Sequence, residues 1–121
     1  MPIASLVLTA LVALLHVYFL VLEMFLWATP FGMRTFARTR EEQEQTKVLA
    51  ANQGLYNGFL VAGLVWSLVA SPAMAGPLRV FFLACVTVAG VYGGATASRK
   101  IYFVQALPGG LALVSTIVSR L

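Results

Sequence analysis

A chain of 121 residues has the length of one domain, and here 60% of the residues are hydrophobic and 10% charged, against about a quarter charged in ordinary soluble domains. That balance excludes a water-soluble globule and fits a chain that lives in lipid. The net charge of +4 does not read as a nucleic-acid patch, because Arg34, Arg38, Arg40 and Lys47 gather in one polar segment and Arg99 and Lys100 in another, as topology determinants do.

A helix that crosses about 30 Å of hydrocarbon needs about 20 residues. Four stretches meet that requirement: Ser5 to Ala28, Lys47 to Val69, Leu78 to Ala97 and Ile101 to Val118. The expected fold is all-α, an integral membrane four-helix bundle with antiparallel up-down connectivity, built as one domain over residues 1–121.

The first stretch has no Lys or Arg before it and is longer than a signal-peptide core, so it is expected to remain in the mature protein. It contains His16 and Glu23, and an ionisable group in hydrocarbon costs about 3 kcal/mol or more unless it faces protein or water. The span ends at Thr29-Pro30-Phe31-Gly32, where Pro30 cannot continue the backbone ladder and biases Thr29 out of helical geometry. Trp27 suits an anchor at the headgroup level, and Phe31, Met33 and Phe36 beside Arg34 and Arg38 suit a segment lying on the surface. Thr39 and Glu42 match a capping box, which starts the second helix near Arg40, ahead of the membrane.

Ser71-Pro72 and Gly76-Pro77 mark a short connection into the third span, and Ser98-Arg99-Lys100 a tighter one into the fourth. With the two basic connections in the cytoplasm, both termini lie on the outer side, and Arg79 and Arg120 count as outer charges. Ala50, Gly54, Gly58 and Ala62 form a ladder of small residues on the second span, and Ala89, Gly93 and Ala97 another on the third, flanked by Gly90 and Gly94. Such faces let backbones approach closely, so these two helices are expected to pack on each other or on copies in a homo-oligomer. Pro108-Gly109-Gly110 interrupts the fourth span and should kink or open it.

The residues able to carry chemistry converge in depth. Glu23 lies roughly 7 Å inside the cytoplasmic end of its helix, Asn52, Gln53 and Tyr56 lie at similar or slightly greater depth on the second, Tyr92 comes about as far before Arg99, and Tyr102 and Gln105 come just after Lys100; Asn57 and Arg99 join these as candidate ligand-binding residues. Polar groups facing lipid singly would each carry a desolvation cost, so a shared depth points to a shared interior cavity. The other halves of the second, third and fourth spans carry no comparable set. His16 is two turns from Glu23 on nearly the same face and joins the candidate ligand-binding residues, with hydrogen-bonded packing as its alternative role.

One His and one Glu two turns apart cannot complete a coordination shell, so no metal is expected. Nor is there a phosphate loop, nucleophile elbow or other cofactor motif. Cys85, the one cysteine, lies in an apolar run and reads as a buried inert thiol.

Taken with their frames, His16-Val17-Tyr18-Phe19, Glu23-Met24-Phe25-Leu26-Trp27, Asn52-Gln53-Gly54-Leu55-Tyr56-Asn57-Gly58 and Gln105-Ala106-Leu107-Pro108 resemble the bacterial membrane family catalogued as domain of unknown function 1304. The resemblance covers nearly the whole chain. It implies a small four-span inner-membrane protein and brings no activity with it.

The layout is also similar to that of trimeric glutathione-using membrane enzymes, but their Glu-Arg-rich entry is missing here. Small multidrug transporters share a carboxylate in the first of four spans, yet their later aromatic and glycine motifs are unmatched. The reading is a bacterial inner-membrane protein, in contact with lipid, whose cytoplasm-facing cavity binds or moves a small molecule, ion or lipid around Glu23. A membrane enzyme acting on an amphiphile and a non-catalytic partner subunit are the alternatives.

Overall fold

Pro30 ends the first membrane segment by starting something else. In the computed structural model, which describes residues 2–121, α1 (Ile3–Phe25) stops short of the expected Ala28, and Pro30 becomes the first residue of a short helix, α2 (Pro30–Phe36). Then follow α3 (Arg40–Gln45), α4 (Lys47–Val69), α5 (Pro72–Thr96), a π-helical turn over Tyr102–Ala106 and α6 (Leu107–Ser119). The protein is all-α, with no strand among the described residues, and four helices are long and apolar enough to cross a membrane: α1, α4, α5 and the continuous stretch Tyr102–Ser119. The chain groups into two compact units, Leu15–Val61 and Met1–Leu14 with Ala62–Leu121, so that α1 and α4 each contribute to both.

In the unit Leu15–Val61, local chemistry sets the bends. Thr29 is extended (φ −88°, ψ 166°), as a residue before proline should be, and its hydroxyl caps α2 by accepting from the Gly32 amide at 3.4 Å. A Cβ on Gly32 would overlap the carbonyl oxygens of Leu26 and Trp27, so this tight return of the chain requires glycine. Ala37 closes α2 in the left-handed region at φ 52°. The capping box at α3 is present: Thr39 N–H donates to Glu42 Oε1 at 3.1 Å, and Glu42 N–H donates to Thr39 Oγ1 at 3.2 Å.

Thr46 interrupts the expected single helix between α3 and α4. Its hydroxyl accepts from Trp27 Nε1 at 3.0 Å, while Trp27 packs against Phe36 in a tilted pair, ring centroids 4.7 Å apart and planes at 48°. Gln43, fully buried, donates to the Trp27 carbonyl at 2.9 Å. Trp27 thereby ties α2, α3 and the start of α4 to the end of α1.

In the other unit, α5 begins at Pro72 instead of Leu78. Pro72 is preorganised for a first turn, and Pro77 is taken into the helix at the cost of one backbone bond. The apolar core is Val12, Leu64, Leu83, Val86 and Ala112, all at most 1% exposed.

Two expectations about the small residues change. Gly54 and Gly58 face α1, where a Cβ at 54 would meet Met24 Cγ at 2.5 Å and Glu23 Cβ at 3.2 Å, and one at 58 would meet Leu20 Cδ1 at 3.0 Å. Their partner is the first span and not the third. On α5 it is Gly90 and Gly94 that are buried, against Ala106 and the Tyr102 ring, whereas Ala89 and Ala97 are exposed. The interruption at Pro108 takes the form of the π turn just before it. There the ladder shifts by one residue, with Leu107 N–H reaching the Tyr102 carbonyl, and a proline without N–H is accommodated.

Candidate functional site

Glu23 is in the last turn of α1 and Asn57 near the middle of α4, and Gly54, one turn earlier on α4, lets the two helices close to contact distance. Across that contact Asn57 Nδ2 donates to Glu23 Oε1 at 2.5 Å, and both residues are half-buried. A charge-assisted bond of this length is among the stronger kinds of polar contact. Among the described residues no basic side chain comes within ion-pair distance of the carboxylate, and its second oxygen has no protein donor. The pair is therefore an acceptor site at membrane depth with one oxygen fixed and one open.

The remaining candidates divide by unit. In Leu15–Val61, His16 is fully buried and edge-on to Phe19, with centroids 5.1 Å apart. Asn52 is exposed and donates to the Val48 carbonyl of its own helix at 2.9 Å. Gln53 is exposed, as is Tyr56, whose ring lies 6.1 Å from that of Phe59. Among the described residues, Asn52, Gln53 and Tyr56 make no hydrogen bond to the Glu23 carboxylate.

In the other unit Tyr92 is 71% exposed and borders an open apolar groove of about 560 Å³ on α5 with Phe81, Cys85 and Val88. Cys85 is thus half-buried at a groove rather than enclosed. Gln105, in the π turn, donates to the Val86 carbonyl at 3.2 Å and ties that turn to α5. Arg99 is exposed and lines an open cavity of about 370 Å³ with Thr96, Ser98 and Tyr102. No group of three or more His, Cys, Asp or Glu side chains suited to a metal occurs among the described residues.

One polar set escaped the sequence reading. Arg79, expected as an exterior charge beside the third span, is 1% exposed. Its Nη2 donates to the Ser67 carbonyl at 2.8 Å, Nη1 to Ser5 Oγ at 3.4 Å and Nε to Ser67 Oγ at 3.5 Å. Ser5 and Thr116 share a hydrogen bond of 2.7 Å, and Ser5, Thr9, Ser67 and Thr116 are all fully buried. The half of the spans expected to lack polar groups holds a buried arginine among four hydroxyls. The available signal was the phase of these residues: Ser5 and Thr9 are one turn apart, and Arg79 lies two turns into α5 once Pro72 is read as the helix start.

The chain is 36% identical to the uncharacterised protein YpaA of Lactococcus lactis subsp. lactis (strain IL1403) over 121 residues, covering 98% of each chain. No solved structure matches it. The model of a family described as a protein of unknown function, DUF1304, matches residues 10–117, and with nearly the whole chain aligned, this multi-pass bacterial membrane protein belongs to that family.

Proposed function

We propose that the protein binds a small cationic or hydrogen-bond-donating molecule at the Glu23–Asn57 pair and carries or presents it at the inner membrane. The observation that supports this most is the carboxylate itself, joined to an amide at 2.5 Å with its other oxygen open and no basic partner among the described residues. A carboxylate placed only to lock helices would be expected to meet a cation or to spend both oxygens on protein donors. An open one is suited to an ammonium group or a proton. Within the unit Leu15–Val61, Asn52, Gln53, Tyr56 and His16 are the further residues proposed to take part in binding.

Thermal unfolding of the purified protein titrated with alkylammonium ions from butyl to decyl tests this reading. Wild type should be stabilised in a saturable way, and Glu23→Gln, which keeps the hydrogen bond to Asn57, should lose that response while its own stability falls by less than about 2 kcal/mol. Equal responses would refute the carboxylate as a binding group. The orientation proposed, with both termini outside, is checked by labelling in intact cells: the segment Gly32 to Thr46 should be protected, and its modification from outside would invert the topology.

A further inference from the structure

Where α5 ends, the chain turns through Ala97, Ser98 and Arg99 and re-enters helix at Lys100. The turn borders an open cavity of about 370 Å³ lined by Thr96, Ser98, Arg99 and Tyr102. That volume falls at the lower end of the roughly 300–1,000 Å³ of small-molecule sites. The cavity lies between the end of one membrane-length helix, Pro72–Thr96, and the start of the next, Tyr102–Ser119, so it opens at the level of lipid headgroups. Its hydroxyls are not equivalent. Thr96 gives its proton to the Tyr92 carbonyl at 2.7 Å, whereas Ser98 Oγ accepts from the Lys100 amide at 3.3 Å and keeps its own proton for another acceptor. The Tyr102 ring is held on Gly94, where a Cβ would overlap it, and forms one wall.

The charge at this turn has no counterpart in the protein. Arg99 and Lys100 are exposed, and their side chains form no hydrogen bond or ion pair among the described residues. The unit to which they belong, Met1–Leu14 with Ala62–Leu121, has no acidic side chain, since Glu23, Glu41, Glu42 and Glu44 all fall in Leu15–Val61. The C-terminus of α5 brings about half a negative charge and the N-terminus of the following helix about half a positive one, so the dipoles cancel and about two positive charges remain. A guanidinium fork pairs with two oxygens of a phosphate and leaves others for a neighbouring hydroxyl, whereas a carboxylate has no further oxygen to offer. We infer that this cavity binds a phosphate group, which Arg99 holds through paired N–H donors and Ser98 through its hydroxyl, with Lys100 adding charge and the Tyr102 ring bounding the site. The phosphate belongs either to an anionic lipid headgroup or to a soluble ion. The site shares no residue with the Glu23–Asn57 pair, and neither depends on the other.

The full-length protein in phosphatidylcholine nanodiscs tests it, with phosphatidylglycerol added and counted by native mass spectrometry and inorganic phosphate titrated by calorimetry. Saturable retention of phosphatidylglycerol identifies the headgroup as a ligand, and saturable phosphate binding identifies a site open to the soluble ion. In either case Arg99→Gln should weaken binding by about tenfold at an unchanged unfolding midpoint, since the exposed side chain supports no other contact. Arg99→Lys, which keeps the charge but not the fork, should weaken it as well. Arg120→Gln, at an exposed arginine outside the cavity lining, should bind as wild type does. The inference is overturned if neither probe saturates, or if Arg99→Gln binds as wild type does. It is equally overturned if Arg99→Lys matches wild type or Arg120→Gln weakens binding as much as Arg99→Gln, because either result reduces the effect to general attraction between a basic loop and anions.

Discussion

At the scale of single residues, the structure separates carboxylates that stabilise the fold from one that is available. Glu42 stabilises. Thr39 donates to it through both its backbone N–H and its hydroxyl, and with Arg38 nearby these contacts hold the Glu42 carboxyl below its usual range. A depressed value in the folded state means that the cap is fully present above the ordinary carboxylate range and is lost as pH falls through the folded value. Carbon-detected titration of Glu42 should therefore show a midpoint below that of an unstructured glutamate, and Thr39→Ala should move it back up. Because alanine keeps the backbone donor, the return should be partial, and an unchanged midpoint in Thr39→Ala would remove the hydroxyl as a contributor. Glu23 differs in having one fixed oxygen and one open, and the open one is where the proposed ligand would bind.

At the scale of elements, small residues decide which helices touch. A four-residue ladder in the sequence defines a face but not what lies against it, which is why Gly54 and Gly58 could be placed on one stripe of α4 while their partner, α1, could not be read. The same holds on α5, where Ala89, Gly93 and Ala97 and the neighbouring Gly90 and Gly94 are about equally small, and the bulk of Ala106 and Tyr102 selects the second set for burial. This gives a paired prediction. Gly54→Leu should force α4 away from Met24 and Glu23 and cost about 1–3 kcal/mol, whereas Ala89→Leu on the exposed face should change stability by less than about 0.5 kcal/mol. Equilibrium unfolding in mixed micelles measures both, and the reverse order would mean that the α1–α4 contact is misplaced. Pro108 was legible as an interruption, but its resolution as a π turn depends on the tertiary bond from Gln105 to the Val86 carbonyl, which no local pattern contains.

For the molecule as a whole, four apolar lengths, the proline-ended first span and the capping box were all legible, because each follows from spacing along one chain segment, whereas the selection of Asn57 over Asn52, Gln53 and Tyr56 as the partner of Glu23 was not. The burial of Arg79 was not. A charge near a predicted span end looks exposed by default, and it becomes an interior group only when Pro72 and Pro77 are both admitted into α5 and hydroxyls from other helices surround it. The proposed function stands on Glu23, bonded to Asn57, receiving a ligand. Native mass spectrometry of protein released directly from membranes tests this most directly, comparing wild type with Glu23→Gln. Wild type should carry a stoichiometric small-molecule adduct that is absent from an equally folded Glu23→Gln protein. Identical spectra from the two proteins, with no adduct on either or the same adduct on both, would contradict it.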